Sequence, residues 1–237
     1  MEAERDPDVA WVAGLAGVSE ARAARALGEA QAETRLFRHL ERMHRLEGRS
    51  SYIEIDAPLE LYALVRLLRP IHVVEVGVSS GVSSAYLLQA LDRVGRGSLH
   101  SVDLPKPDRR PESRRRNPSW AIPAGRSSGW AVPRPLLARW DLRLGDKKVI
   151  LPRITEEPVP VGLFVYDVPH SESQAARDFA AVDRRFRVGS VAIADHGPGA
   201  GLCPPLGRWA KSRGARAVRC RDLGLFGFRS ATGRASG

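Results

Sequence analysis

Residues 73–91 read VVEVGVSSGVSSAYLLQAL, and this stretch decides the fold. Its first residues are β-branched around a single acid, its last residues favour a helix, and Gly77 and Gly81 bracket a tight turn between the two. Strand, glycine turn and helix in that order open an α/β unit. The missing Cβ atoms let a ligand approach the backbone, and Ser79, Ser80, Ser83 and Ser84 set hydroxyls beside the helix N-terminus, which favours an anionic group. The spacing is Gly-x-x-x-Gly, not the Gly-x-Gly-x-x-Gly of nicotinamide dinucleotide sites. Glu75, two residues before the first glycine, would repel a pyrophosphate but suits a ligand carrying an amine and a sulfonium.

Downstream, short apolar runs alternate with helical stretches. The runs are HVVEV (72–76), SLHSV (98–102), DLRL (141–144), LFVYD (163–167) and SVAIAD (190–195), followed by ARAVRC (215–220) and GLFGFRS (224–230). One helix ends near Val94 and another spans about 171–185, where Ser171 and Gln174 form a capping box. Parallel neighbours need crossover helices, so the alternation predicts a mostly parallel sheet covered on both faces, with the last two runs close enough for an antiparallel pair. Upstream, Pro58 starts and Pro70 stops a helix over 58–69, and the stripe Leu36, Phe37, Leu40, Met43 and Leu46 predicts one long helix over 19–47 capped by Ser19. The expected organisation is an N-terminal helical arm at 1–50, able to mediate dimerisation, and a catalytic domain at 51–237.

The chain has 237 residues, 43% apolar and 27% charged, with a net charge of +10. These values fit one globular domain with a substantial core. No window approaches the ~20 uninterrupted apolar residues of a membrane helix. Four acids and one arginine in MEAERDPDVAWVAGL carry the wrong sign for a secretory leader, which places the protein in the cytoplasm. Cys203 and Cys220 form no Cys-x-x-Cys pair, which excludes a disulfide framework and a cysteine-rich zinc site. The positive charge is local: Lys106 to Arg143 holds ten basic residues against three acids, and Arg208 to Arg234 eight against one. Such segments steer anionic partners, or are simply solvated arginine-rich loops.

Ligands of open parallel sheets sit at the carboxyl ends of the strands. Asp103 ends the second run, where an acid accepts hydrogen bonds from ribose hydroxyls; the alternative is a turn-forming aspartate before Pro105. Asp146 ends the third, within reach of an adenine amino group or as a helix cap ahead of Lys147. Asp167 and Asp195 end the fourth and fifth, with His170 and His196 close behind. Two carboxylates at one edge repel unless a cation lies between them, so Asp167 and Asp195 with bound water suit magnesium, and His196 shifts the preference toward manganese, iron or zinc. The competing view makes the aspartates turn caps and His170 a structural histidine at a helix start.

At these residues the chain resembles the class I S-adenosylmethionine-dependent methyltransferases. Within them it is similar to the metal-dependent O-methyltransferases: the catechol O-methyltransferase-like enzymes and the bacterial group of macrolide-sugar methyltransferases and cephalosporin-hydroxylase-type proteins. The resemblance covers about residues 50–230 and rests on VVEVGVSSGVSS, LHSVDLP, GRSSGWAVP with RWDLRLGDKKVILP, FVYDVPHS and VGSVAIADHG, in that order. It implies a Rossmann-like methyltransferase fold, a mostly parallel seven-stranded sheet with an antiparallel last strand. It also implies roles: Glu75, Gly77, Ser79 and Gly81 in the cofactor turn, Ser83 at the methionine carboxylate, Asp103 at the ribose, Asp146 at the adenine, and Asp167, Asp195 and His196 as ligands of a divalent metal, magnesium or manganese, with Asp167 also counted among the cofactor-binding and catalytic residues. His170 stands where relatives place a general base. The chain has Asp195-His196 where the family has Asp-Asp or Asp-Asn, and VGS at 188–190 where two glycines are common.

The segment at about 105–135 is too long and too rich in proline and arginine for an ordinary connector, and reads as a lid or an exposed loop. Its Arg114-Arg115-Arg116 run, Trp120 and Trp130 suit an anionic acceptor. Three functions compete: metal-assisted O-methylation of a small hydroxylated molecule such as a sugar or aromatic alcohol, methylation of RNA through the basic segments, and a nonenzymatic cofactor-binding module.

Overall fold

The computed structural model describes residues 6–47, 58–105, 122–196, 201–220 and 224–232. Strands β1 (His72–Val76), β2 (Ser98–Asp103), β3 (Trp140–Leu144), β4 (Val161–Tyr166), β5 (Val191–Asp195), β6 (Val218–Cys220) and β7 (Leu225–Arg229) form one sheet in the order β3-β2-β1-β4-β5-β7-β6. β1 to β5 pair in parallel, and β7 runs antiparallel to both β5 and β6. Strand order reverses between β1 and β4, and the ligand crevice of an open α/β sheet lies at that point.

Period-2 alternation in the strands divides the core into two layers. Val73, Leu99, Leu163, Val165, Val191 and Ile193 pack beneath the helices α4 (Pro58–Leu68) and α5 (Val82–Val94). Val74, Val76, Phe164, Tyr166, Ala192 and Ala194 pack beneath α6 (Lys147–Ile154), α7 (Glu172–Asp183) and α8 (Pro204–Ser212), where Phe179, Trp209 and Phe186 form an aromatic cluster. Ser171 caps α7 in the expected capping box, its hydroxyl accepting from Gln174 N and its own N–H donating to the Gln174 side chain.

The N-terminal region differs from the single helix expected over 19–47. It contains α1 (Pro7–Ala16), α2 (Glu20–Gln31) and α3 (Thr34–Leu46). The break between α2 and α3 falls at Glu33, whose carboxylate takes Arg93 at 2.7 Å and Tyr62 at 3.2 Å; a distant contact interrupts a locally continuous pattern. Ser19 precedes α2 without a side-chain capping bond. Leu36 and Leu40 are buried as the stripe predicts, but Leu46 is exposed. These helices share the core of the sheet. Trp11 Nε1 donates to the Val218 carbonyl at 3.2 Å, Arg229 Nη1 donates to the carbonyls of Leu15 and Ala16 at 3.2 and 2.9 Å, and a Cβ at Gly227 would meet Leu15 at 2.8 Å. The guanidinium thus satisfies the last turn of α1 and its dipole. Among the described residues no helix is long and apolar enough to cross a membrane.

Candidate active site

The turn after β1 is held by its neighbours' backbones. Gly77 N donates to Val102 O at 2.9 Å and Asp167 N to Val76 O at 2.8 Å, so the ends of β1, β2 and β4 are stitched together. Gly77 has φ +97°, and a Cβ there would lie 1.8 Å from the Asp167 carbonyl oxygen. Gly81 has φ +88°, and its Cβ would sit 2.8 Å from Gly129 Cα. The space beside both glycines is therefore filled by protein, not left open. Gly81 admits the segment 128–132, which pairs with the turn through Gly129 N to Ser79 O at 2.8 Å and Ala131 N to Ser80 O at 3.0 Å. The segment rests in turn on α3, with His39 Nε2 3.1 Å from Ala131 O and Trp130 against His44 at 4.9 Å between ring centroids. This ordered piece belongs to the stretch read as a lid or loop; its arginine run and Trp120 fall outside the described residues.

Glu75 points into the protein. It is fully buried, and Ser83, Ser84 and Ser101 donate their hydroxyls to it at 2.7, 2.6 and 2.7 Å. Burial pushes its carboxyl above the ordinary range, against the pull of the three hydroxyls. Glu75 and Ser83 thus bind each other beneath the turn, and Ser79, on the turn itself, has φ +50°. Asp103 lies at the rim, half-buried, and accepts from Val78 N at 3.3 Å and from the Ser128 hydroxyl. Asp146 is exposed and caps α6, accepting from Lys148 N at 2.9 Å.

A methyltransferase-domain family model matches residues 74–196, more than half of the chain. The chain belongs to this family. It is an S-adenosylmethionine-dependent methyltransferase. Solved structures of the same fold include an O-methyltransferase from Bacillus cereus in complex with S-adenosylhomocysteine (14% identity, 82% of this chain and 90% of that one, TM-score 0.52) and a methyltransferase from Geobacter sulfurreducens (15%, 83% and 88%, TM-score 0.51). Another is the S-adenosylhomocysteine-bound methyltransferase PaMTH1 of Podospora anserina (12%, 82% and 87%, TM-score 0.50). No curated protein matches the chain.

In this methyltransferase the ends of β4 and β5 carry the remaining candidates. Tyr166 and Ala194 are partners in register, which sets Asp167 and Asp195 level with each other one residue on. Asp167 is exposed and Asp195 half-buried. His170 Nδ1 is 2.7 Å from the Val168 carbonyl oxygen. A carbonyl only accepts, so Nδ1 carries a proton, and in the neutral ring Nε2 carries the lone pair. His170 packs on Tyr166 at 5.0 Å and on His196 at 5.3 Å between ring centroids. Tyr166 is fixed from below: Lys147 Nζ donates to its hydroxyl at 2.6 Å and the hydroxyl donates to buried Asp178 at 2.9 Å. Burial and the Asp178 charge push that hydroxyl's pKa up, so it stays protonated. Burial, followed by the neighbouring His170, lowers the pKa of His196 and keeps its ring neutral.

Among the described residues, the group whose ligand atoms all lie within 4.8 Å of one another is His170, His196 and Cys203. Asp167 and Asp195 are not part of it. A carboxylate-rich magnesium or manganese centre on Asp167, Asp195 and His196 therefore does not fit this arrangement of donors. Sequence reasoning missed Cys203, although it follows His196 by seven residues and precedes the Pro204-Pro205 helix start. It also missed Ser128 on Asp103 and the Lys147–Tyr166–Asp178 support, whose partners lie too far apart in sequence to form a motif.

Proposed function

We propose that the protein transfers a methyl group from S-adenosylmethionine to a hydroxyl of a small molecule, with His170 taking the hydroxyl proton. The observation that carries the reading is the Val168 carbonyl on His170 Nδ1, which leaves an Nε2 lone pair at the carboxyl end of β4 beside the cofactor turn. The relative from Bacillus cereus, described as an O-methyltransferase bound to S-adenosylhomocysteine, supports the donor and the oxygen acceptor. The donor supplies an electrophilic methyl on a sulfonium, so the carbon–oxygen bond forms as the carbon–sulfur bond breaks and its electron pair returns to sulfur. His170 Nε2 removes the proton that would otherwise leave a charged oxonium, the work of a general base. Tyr166, held by Lys147 and Asp178, keeps the imidazole in place, and alignment of oxygen and methyl does the rest. No step runs through a carboxylate-held metal.

On the donor side, Asp103 binds the ribose and the glycine turn supplies backbone groups. Ser128 then competes with the ribose for the same carboxylate. Removing it in Ser128→Ala is expected to tighten S-adenosylhomocysteine binding by about fivefold, the worth of one hydrogen bond of ~1 kcal/mol no longer broken on binding. Titration calorimetry reads this directly; weaker binding would instead make Ser128 part of the ribose site.

The reading as a whole is tested by calorimetry with S-adenosylhomocysteine, followed by transfer of labelled methyl to small hydroxylated compounds and, separately, to RNA. Label in the compounds and none in RNA is the expected result. Label in RNA alone would give the basic segments the acceptor and overturn the small-molecule assignment.

A further inference from the structure

We propose that His170, His196 and Cys203 form a three-ligand site for a zinc-class divalent cation. The donors come from three separate places: the turn after β4, the residue after β5, and the residue that opens α8. Their ligand atoms nevertheless gather within 4.8 Å. A tetrahedral ion with bonds of about 2.0–2.3 Å would draw them to roughly 3.4–3.6 Å apart, a small closure of side chains already facing one another.

Two details point to a ligand at this place. His196 Nε2 is buried and has no hydrogen-bond partner, and leaving such an atom unsatisfied costs about 1–3 kcal/mol. His170 has its Nδ1 proton committed to the Val168 carbonyl, the outer contact that fixes the tautomer and ring orientation of metal-bound histidines. Cys203 is the residue that precedes the nine-residue helix α8; burial pushes its thiol up, and the charge of a bound divalent cation is what would deprotonate it. Two imidazoles and a thiolate select zinc, cobalt or iron and discriminate against magnesium and calcium, which prefer oxygen. The donor set is thus the opposite of the one expected from Asp167 and Asp195.

The lone pair of His170 is also the one that removes the proton in the proposed transfer, and in that respect the inference rests on that reading. An ion bound there occupies the lone pair, so zinc loading is expected to lower turnover.

The test uses untagged full-length protein, freed of metal by chelation and titrated with cobalt(II). One equivalent is expected to give the strong visible bands of tetrahedral cobalt and a near-ultraviolet thiolate-to-cobalt band. Cys203→Ser should lose the thiolate band and Cys220→Ala should keep it; Cys220 is buried elsewhere, beside α1. His196→Ala should weaken cobalt binding at least tenfold. A wild-type spectrum without the thiolate band, or the same band in Cys203→Ser, would overturn the site, and neither depends on every variant folding well. S-adenosylhomocysteine calorimetry on the same samples separates the two readings: a normal cobalt spectrum without cofactor heat sinks the transfer reaction alone, and cofactor heat without the spectrum sinks the metal site alone. Turnover that rises with zinc would remove the proton from His170 and leave the spectra standing.

Discussion

Gly77→Ala is expected to be among the most damaging single substitutions in the molecule, abolishing cofactor binding and lowering stability by more than about 4 kcal/mol. The left-handed conformation at φ +97° alone costs a residue with a Cβ about 1–2 kcal/mol. The larger part is steric. The new Cβ would fall 1.8 Å from the Asp167 carbonyl oxygen, and this obstacle is backbone anchored by the Asp167 N to Val76 O bond at 2.8 Å. It cannot rotate aside as a side chain could, so β1 and β4 must part at the point where strand order reverses. Against a total stability of about 5–15 kcal/mol, that loss removes more than a quarter of the margin that keeps the protein folded. Urea denaturation measures it, with Gly125→Ala as the control: φ there is +75° but nothing lies within 4 Å of the added atom, so a cost near 1 kcal/mol is expected. Equal midpoints for the two variants would contradict the packing described for the turn.

The second large effect is on catalysis. His170→Gln should lower kcat by about 10²- to 10⁴-fold, the usual contribution of a positioned general base. Its half-buried ring packs on Tyr166 and His196 outside the main core, so the melting temperature and the affinity for S-adenosylhomocysteine should stay close to those of the unaltered protein. Single-turnover transfer with saturating donor isolates the chemical step. A loss below about tenfold would mean that the acceptor proton leaves by another route.

The sheet was legible because each strand is a short apolar run bounded by turn residues, and the strand ends carried the acids and imidazoles that mark the cleft. The first helix was missed even though Asp6 caps Asp8 N at 3.0 Å, Pro7 stands in the first turn and Gly17 closes the end at φ +67°; its start and stop signals are present in the sequence. The break at Glu33 was not readable, because its cause is a carboxylate drawn to Arg93, 60 residues away. At the site, residue types were visible and their directions were not. Glu75 reads like a ligand-facing acid, yet it turns inward because three serine hydroxyls meet it there. Asp167 and Asp195 share a level, yet the close group of donors is completed by Cys203, which the path of the chain into α8 brings back to His196.

The union of α1 with the last two strands also bears on how the molecule is made. Trp11 meets its hydrogen-bond partner 207 positions downstream and Leu15 meets Arg229 at a separation of 214. During synthesis α1 can pack on α2 and α4, which follow it closely, but the side of the helix that meets β6 and β7 must wait until residues 218–229 have been translated. Contacts of such span slow folding and prolong exposure of sticky surface, so yield during expression should depend on chaperone supply and on growth temperature more than the equilibrium stability of the finished protein would suggest.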